Sequence, residues 1–171
     1  MSLARPTNLE GEALAEVVAY GRRLVEDGLV LGTSGNISAT TGARAVVHTH
    51  SQSAVAVSTV VDELPAIHYD IGRLGGSAVP VVGYERFGSD ALARRAADAF
   101  DGRSAVILRN HGTLACGEDL RRAYHRALLV EWLAETYRKA RALGEPALLG
   151  EAEMDEVLAE SRRRSYGVVS A

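Results

Sequence analysis

The sequence predicts an α/β fold, because strand patterns and helix patterns alternate along its 171 residues without an internal repeat or a linker. Short valine-rich runs bounded by polar residues indicate buried strands. Apolar residues at three- and four-residue spacing, flanked by capping residues, indicate amphipathic helices. A chain of this length can bury a substantial core. We therefore expect residues 1–171 to form a single domain.

Five helices are expected from this periodicity. They are predicted at about Leu9 to Asp27, Ser51 to Val60, Asp90 to Phe100, Glu118 to Leu143 and Glu151 to Arg164. Gly28 is placed to end the first helix, Ser89 is a good N-cap for the third, and Gly144 stops the fourth. The buried stripe of the long fourth helix is expected to contain Leu128, Leu129, Trp132 and Leu133.

Three strands are expected from the apolar runs. They are predicted at residues 45–50 (AVVHTH), 79–82 (VPVV) and 105–108 (AVIL). Because proline cannot donate a ladder hydrogen bond, Pro80 suggests that its strand lies at a sheet edge.

Composition and charge exclude several classes of partner. The 19 Lys and Arg residues and 22 Asp and Glu residues give a net charge of −3, and the basic residues form no run. Nucleic acid and an anionic membrane are therefore not expected as partners. No apolar stretch approaches the length of a membrane span, and no signal-peptide pattern opens the sequence. Cys116 is the single cysteine, which suits a reducing cytoplasm, so a cytoplasmic location is expected.

Three histidines form the most informative pattern. Side chains two residues apart on a strand point to the same face, so His48 and His50 can share one ion. His111 follows the strand at 105–108, and Gly112 next to it permits a sharp turn. Three neutral imidazoles leave one position of a zinc ion open, as in catalytic sites. The alternative is that these are unrelated polar histidines at strand ends.

A second pattern is the loop at residues 32–38 (GTSGNIS). Its glycines and hydroxyls can expose backbone N–H groups and short donors that cradle a phosphate. Many loops of this composition are only turns, so this reading stays open on composition alone.

Taken together, these segments resemble the class II aldolase/adducin family. The matching stretches are residues 28–38 (GLVLGTSGNIS), 45–50 (AVVHTH), 64–69 (LPAIHY), 83–89 (GYERFGS) and 110–116 (NHGTLAC). The stretches at 64–69 and 83–89 favour the branch that cleaves L-fuculose 1-phosphate. The resemblance implies a class II aldolase-like fold, with a central, mostly antiparallel sheet flanked by helices.

The resemblance also implies an activity and a metal. It implies a metal-dependent aldehyde-lyase that cleaves a ketose 1-phosphate into dihydroxyacetone phosphate and an aldehyde, with Zn²⁺ or another divalent metal held by His48, His50 and His111. The cation would stabilise the enediolate formed when the carbon–carbon bond breaks, so no lysine Schiff base is needed.

Further roles follow from the same resemblance. Thr33, Gly35 and Asn36 would bind the phosphate of the sugar substrate. Tyr84 and Tyr166 would be catalytic and would reach the site of a neighbouring subunit. The implied assembly is a homotetramer with sites at subunit interfaces. The alternative for both tyrosines is a structural or surface position.

The sequence departs from the family between Ser38 and Val46. There the family carries a long segment with a Thr-Pro-x-Gly phosphate loop and a Ser-Ser-Glu stretch, whose glutamate is a metal-site residue and the catalytic base. Residues 39–45 contain no counterpart of either. Three explanations compete: the protein contains this segment but the printed sequence omits it, the gene lacks the segment, or engineering removed it. We favour the first explanation.

Two alternatives to an aldolase stay open. A sugar-phosphate 4-epimerase, a dehydratase or a decarboxylase could use the same three-histidine site. If the glutamate segment is truly missing, the chain would instead be a non-catalytic, adducin-like module for metal binding or assembly.

Overall fold

The fold was analysed in a computed structural model of the chain. It describes the backbone of residues 8–32, 34–40 and 44–164, and the side chains of all of these except residues 8–12 and 40. The helices are α1 (Asn8–Glu26), α2 (Gln52–Ser58), α3 (Asp90–Ala99), α4 (Leu120–Leu143) and α5 (Glu151–Arg163), with a 3-10 helix at Tyr69–Leu74. The strands are β1 (Asn36–Thr40), β2 (Arg44–Thr49), β3 (Glu63–Leu64), β4 (Val79–Val82), β5 (Ala105–Leu108) and β6 (Gly112–Gly117).

The six strands form one sheet in the order β1-β2-β6-β5-β4-β3. Neighbouring strands are antiparallel, with the exception of the parallel pair β4 and β5. The predicted α/β fold with a mostly antiparallel sheet is therefore confirmed.

Helices cover both faces of this sheet, which explains the fully apolar sequence of β5. Ala105 and Ile107 belong to the main core, together with side chains from α1, α2, α4 and the 3-10 helix. Val106 and Leu108 point the other way and pack with Leu92 of α3. Because successive side chains of a strand alternate between faces, a strand buried on both sides shows an unbroken apolar run.

Capping residues determine where the helices begin and end. Gly28 has φ of +68°, which lets the chain leave α1 in a left-handed conformation. The hydroxyl of Ser89 accepts a hydrogen bond from the Leu92 N–H and caps α3, as predicted. Asp119 caps α4 in the same way through the Arg122 N–H, so this helix begins slightly later than expected.

The structure corrects three details of the sequence analysis. Strands β1, β3 and β6 were not predicted, because they lack a clear apolar run, and residues 36–38 of the predicted loop belong to β1. Pro80 does not lie in the outermost strand, since the two-residue β3 pairs outside it. Trp132 is not part of the buried stripe of α4, because its side chain is 44% exposed.

Among the described residues, no helix is both long enough and apolar enough to cross a bilayer.

Two glycine substitutions should change stability in opposite directions. A Cβ at Gly112 would lie 2.0 Å from the carbonyl oxygen of Thr49, whereas a Cβ at Gly21 in α1 meets nothing within 4 Å. Gly112→Ala should lower the free energy of unfolding by about 1–3 kcal/mol through overpacking at β2. Gly21→Ala should raise it by about 0.5–1 kcal/mol through helix propensity. Urea denaturation measures both changes, and equal effects of the two variants would contradict this packing.

Candidate metal centre

Pairing between β2 and β6 brings the three predicted histidines together. His48 lies near the end of β2, and His50 follows it directly after Thr49. His111 lies in the tight turn between β5 and β6, where its N–H donates to the carbonyl of Leu108. Because Thr49 pairs with Thr113 at the start of β6, the end of β2 lies beside this turn.

The imidazoles converge on one point. One nitrogen from each of His48, His50 and His111 lies within 4.8 Å of the others. The ring centroids are 4.8, 5.0 and 5.1 Å apart, and all three ring pairs meet edge to face. His48 is buried, and the other two rings are half-buried, so the cluster is open to solvent on one side.

Backbone contacts define the tautomer of His48. Its Nδ1 lies 2.8 Å from the carbonyl oxygen of Thr113. A carbonyl can only accept, so Nδ1 carries the hydrogen, and Nε2 of the neutral ring carries the lone pair. Nε2 faces the Nε2 of His50 at 3.1 Å. The backbone of β6 therefore turns the ligand nitrogen of His48 toward the centre of the cluster.

Burial favours the neutral, metal-binding form of two of these histidines. Burial lowers the pKa of His48, and the neighbouring His50 and His111 lower it further, against the opposing effect of the Thr113 carbonyl. The pKa of His111 is also lowered, first by burial and then by His50. A neutral imidazole is the form that binds a metal ion, so the site suits metal binding near neutral pH.

Buried hydroxyls connect the backbone behind the histidines. The Thr49 hydroxyl lies 2.7 Å from that of Thr113 and 3.2 Å from that of Ser51. All three side chains are buried. This chain of hydrogen bonds joins β2 to β6 at the level of the ligands.

The spacing of one pair of nitrogens matches that of two ligands of a single metal ion. Two nitrogens bound tetrahedrally at about 2.0–2.1 Å from one zinc ion lie about 3.3 Å apart. The 3.1 Å separation between the Nε2 atoms of His48 and His50 is close to that value. Three imidazoles would leave one position for water or a substrate.

Within the described ranges, no carboxylate joins the three histidines as a further ligand. The glutamate segment that the resemblance implies would enter between Ser38 and Val46. Instead, β1 and β2 pair continuously from Asn36 with His48 to Thr40 with Arg44. Residues 41–43 join the two strands and lie outside the described residues.

The predicted phosphate loop lies directly against β2, the strand that contains His48. Gly35 has φ of +93°, and a Cβ there would lie 2.8 Å from the carbonyl oxygen of His48. Asn36 pairs with His48 across β1 and β2, so the two side chains leave the same face of the sheet. Thr33 lies outside the described residues.

A cleft of about 190 Å³ separates this loop from α1. Valine, leucine and isoleucine side chains form much of its lining, together with Ser34, Gly35 and Asn36. An apolar lining does not suit a phosphate, so the predicted phosphate contacts belong to the loop and not to the depth of the cleft.

The structure describes one of the two predicted catalytic tyrosines. Tyr84 lies in the loop after β4, and its side chain is 64% exposed. Val82 at the end of β4 runs parallel to Leu108, so this loop leaves the sheet at the same end as the turn with His111. Tyr166 lies outside the described residues.

Sequence reasoning missed three contributors to this region. Thr113 orients His48, Glu131 of α4 binds the backbone at the start of α2, and Arg109 binds one carbonyl at the end of α2 and one just after it. Arg109 immediately precedes the NHG motif, which was a weak signal for its position. Glu131 gave no signal, because a glutamate within a helix is usually a solvated residue.

Comparisons with known proteins agree with the resemblance. The sequence model of the "Class II Aldolase and Adducin N-terminal domain" matches residues 39–138. The L-fuculose phosphate aldolase of Escherichia coli K12 is 37% identical over 127 residues, which cover 74% of this chain and 58% of the relative. A solved structure titled L-fuculose 1-phosphate aldolase has 26% identity and a TM-score of 0.81, covering 95% of this chain and 98% of that one.

A longer match shows by how many residues this chain and a relative differ. The 5-deoxy-D-ribulose 1-phosphate aldolase of Bacillus thuringiensis serovar kurstaki is 30% identical over 196 aligned positions, covering 83% of this chain and 92% of the relative. That share of 171 residues is about 142, so about 54 aligned positions contain no residue of this chain. The chain spans little more than half the length of the first curated relatives that it matches.

Replacing His48 by asparagine should remove metal binding without unfolding the protein. The asparagine amide can take the place of Nδ1 and donate to the Thr113 carbonyl, but it has no counterpart of Nε2. Zinc affinity should fall by more than the roughly 100-fold loss that changes behind a metal ligand cause. Zinc content and circular dichroism check this expectation. His125→Asn, on the exposed face of α4, is the matched control, and full zinc occupancy in His48→Asn would remove His48 from the site.

Proposed function

The chain belongs to the class II aldolase and adducin family, and from this premise we propose that it is a metal-dependent aldehyde-lyase. The proposed reaction cleaves a ketose 1-phosphate into dihydroxyacetone phosphate and an aldehyde. The observation that supports it most directly is the convergence of His48, His50 and His111, with the Nε2 lone pair of His48 turned toward the other two rings. Zinc is the proposed metal, and other divalent cations are alternatives.

The names of the relatives narrow the proposed substrate class. They include L-fuculose phosphate and 5-deoxy-D-ribulose 1-phosphate aldolases. We propose a substrate similar to L-fuculose 1-phosphate. The single cysteine supports a cytoplasmic location as part of this proposal.

Each part of the proposed site has a separate task. A bound divalent cation supplies Lewis acidity for the negative charge that develops beside the carbonyl. Burial favours the neutral form of His48, and the Thr113 carbonyl orients its ring. The proposed phosphate contacts are the backbone and side chains of Thr33, Gly35 and Asn36. Gly35 lies against the backbone of His48, and Asn36 pairs with His48 across β1 and β2.

Tyr84 and Tyr166 are proposed to act across a subunit interface in a homotetramer. The support for Tyr84 is its position: its loop leaves the sheet at the end that contains His111, and its side chain is exposed within one chain. A phenol there could donate a proton to the aldehyde oxygen of a substrate bound to a neighbouring subunit.

The proposal includes one domain over residues 1–171 that lacks a family segment between Ser38 and Val46. The unmatched positions in the alignment with the Bacillus relative support such a shortening. The family match also begins at residue 39, at the point where the segment would enter. A chain that contains this segment would have the carboxylate base and a second phosphate loop; a chain without it would have neither.

A second candidate is a module that binds metal without catalysing cleavage. It is favoured by the histidine cluster itself, to which no carboxylate of the described residues contributes. A missing general base commonly costs about 10²–10⁴ in rate. A 4-epimerase, a dehydratase or a decarboxylase that uses the same three histidines is a further alternative.

The release of dihydroxyacetone phosphate distinguishes the two candidates. The zinc-loaded protein should release it from L-fuculose 1-phosphate or 5-deoxyribulose 1-phosphate, and a coupled dehydrogenase assay measures the product. Intact mass, compared with 18.2 kDa, should be measured on the same sample because a larger mass would reveal the missing segment. Stoichiometric zinc binding without product release at 18.2 kDa would reject the aldolase and support the non-catalytic module.

Tyr84→Phe should lower turnover and leave zinc content unchanged. Removing a proton donor commonly reduces rate about 10²–10⁴-fold, while the exposed ring position needs no hydroxyl for folding. Steady-state kinetics and metal analysis check both parts. Tyr20→Phe is the control, since Tyr20 packs against Tyr124 on the α1 side of the fold. An unchanged turnover in Tyr84→Phe would remove Tyr84 from the mechanism.

A further inference from the structure

The short helix α2 lies between the two chain segments that carry the histidines. It begins at Gln52, two residues after His50, and ends at Ser58. Ser58 and, just beyond it, Val61 accept hydrogen bonds from the residues that directly precede His111. The position of α2 therefore affects both the segment with His48 and His50 and the turn with His111.

A carboxylate from another helix binds the N-terminus of α2. The two oxygens of Glu131 accept hydrogen bonds from the backbone N–H groups of Ser53 and Ala54, each at 2.9 Å. Ser51 stands at the N-cap position but makes no side-chain capping bond, because its hydroxyl lies near that of Thr49. Glu131 thus replaces the local cap and attaches α2 to α4.

A guanidinium binds the other end of α2. Arg109 donates from Nη1 to the carbonyl of Ser58 at 2.8 Å and from Nη2 to the carbonyl of Val61 at 3.1 Å. The Asn110 N–H donates to the Ser58 hydroxyl at 3.0 Å. Arg109 and Asn110 directly precede His111, so the carbonyl end of α2 is attached to the turn that contains this ligand.

The signs of the two charges match the dipole of the helix. A negative group lies at the N-terminus of α2, and a positive group lies at its C-terminus, which is the favourable arrangement at both ends. Charge-assisted hydrogen bonds to backbone groups are also stronger than neutral ones. Both attachments are therefore suited to fix α2 firmly against its neighbours.

We propose that Glu131 and Arg109 are positioning residues of the metal centre. They act through α2, which holds the segment containing His50 at a fixed distance from the turn containing His111. This inference rests on the proposed metal site. Metal affinity falls when ligands must be brought together at the moment of binding, so loosening either attachment should weaken binding without removing a ligand.

Zinc affinity of four single variants and one double variant tests this role. Glu131→Gln removes the carboxylate charge, and Arg109→Met removes the guanidinium donors. Glu135→Gln is the matched control on α4, where the carboxylate pairs with Lys139 at 2.8 Å. Asp62→Asn is the control for Arg109, because Asp62 is an exposed partner of that guanidinium and not part of α2. The fifth protein combines Glu131→Gln with Arg109→Met.

Competition with a chromophoric chelator, well below the unfolding temperature of each variant, measures the zinc affinity. Co²⁺ absorption reports the geometry of the site. Glu131→Gln and Arg109→Met should each bind zinc about 10–100-fold more weakly and change the Co²⁺ spectrum, while both controls stay within about twofold of wild type. The double variant should lose less than the product of the two single losses, because both act on one helix.

Other outcomes would overturn the inference in distinct ways. Wild-type zinc affinity in both variants, or equal losses in the controls, would contradict a positioning role. A double-variant loss equal to the product would contradict the route through α2. If the wild type itself binds no zinc, the proposed function fails first. Glu131→Asp and Arg109→Lys replace any first variant that does not fold, with smaller losses of the same kind expected.

Discussion

The antiparallel register between β2 and β6 is the constraint on which the rest of the site depends. It pairs His48 with Leu114 and Thr49 with Thr113. A shift of one residue would move His48 to the opposite face of the sheet, because side chains alternate along a strand. The same register brings the Thr113 carbonyl to the imidazole of His48 and aligns the buried hydroxyls of Thr49 and Thr113. Backbone pairing thus positions one ligand directly and the turn with His111 indirectly.

Contacts at the two ends of helix α2 add to the constraints set by the strand pairing. The sheet sets where β2 ends and β6 begins, but His50 and His111 lie just outside these strands. The contacts of Glu131 and Arg109 with the two ends of α2 connect these less regular segments to the core. The first curated relatives are nearly twice as long as the matched part of this chain. The three histidines and the contacts around them nevertheless all lie within the described residues.

Much of this framework could be predicted from the sequence, because its signals are local. Alternation explains why His48 and His50 were placed on one face, and periodicity with capping residues predicted α3 and α4. Strand β1, with the sequence NISAT, and β6, with GTLACG, lack an apolar run, and their pairing partners decide their structure. Glu131 is likewise recognisable only from its contacts, since it lies 77 and 78 residues from its partners in sequence. The exposure of Trp132 also depends on tertiary packing.

In the proposed metal centre, three imidazoles of one chain hold a metal ion and leave one coordination position open. X-ray absorption at the zinc edge, on protein loaded with one equivalent of zinc, tests this most directly. We expect three imidazole nitrogens at about 2.0–2.1 Å and one light atom from solvent in the remaining position. A shell containing sulfur, or fewer than three imidazoles, would contradict a metal centre built from His48, His50 and His111.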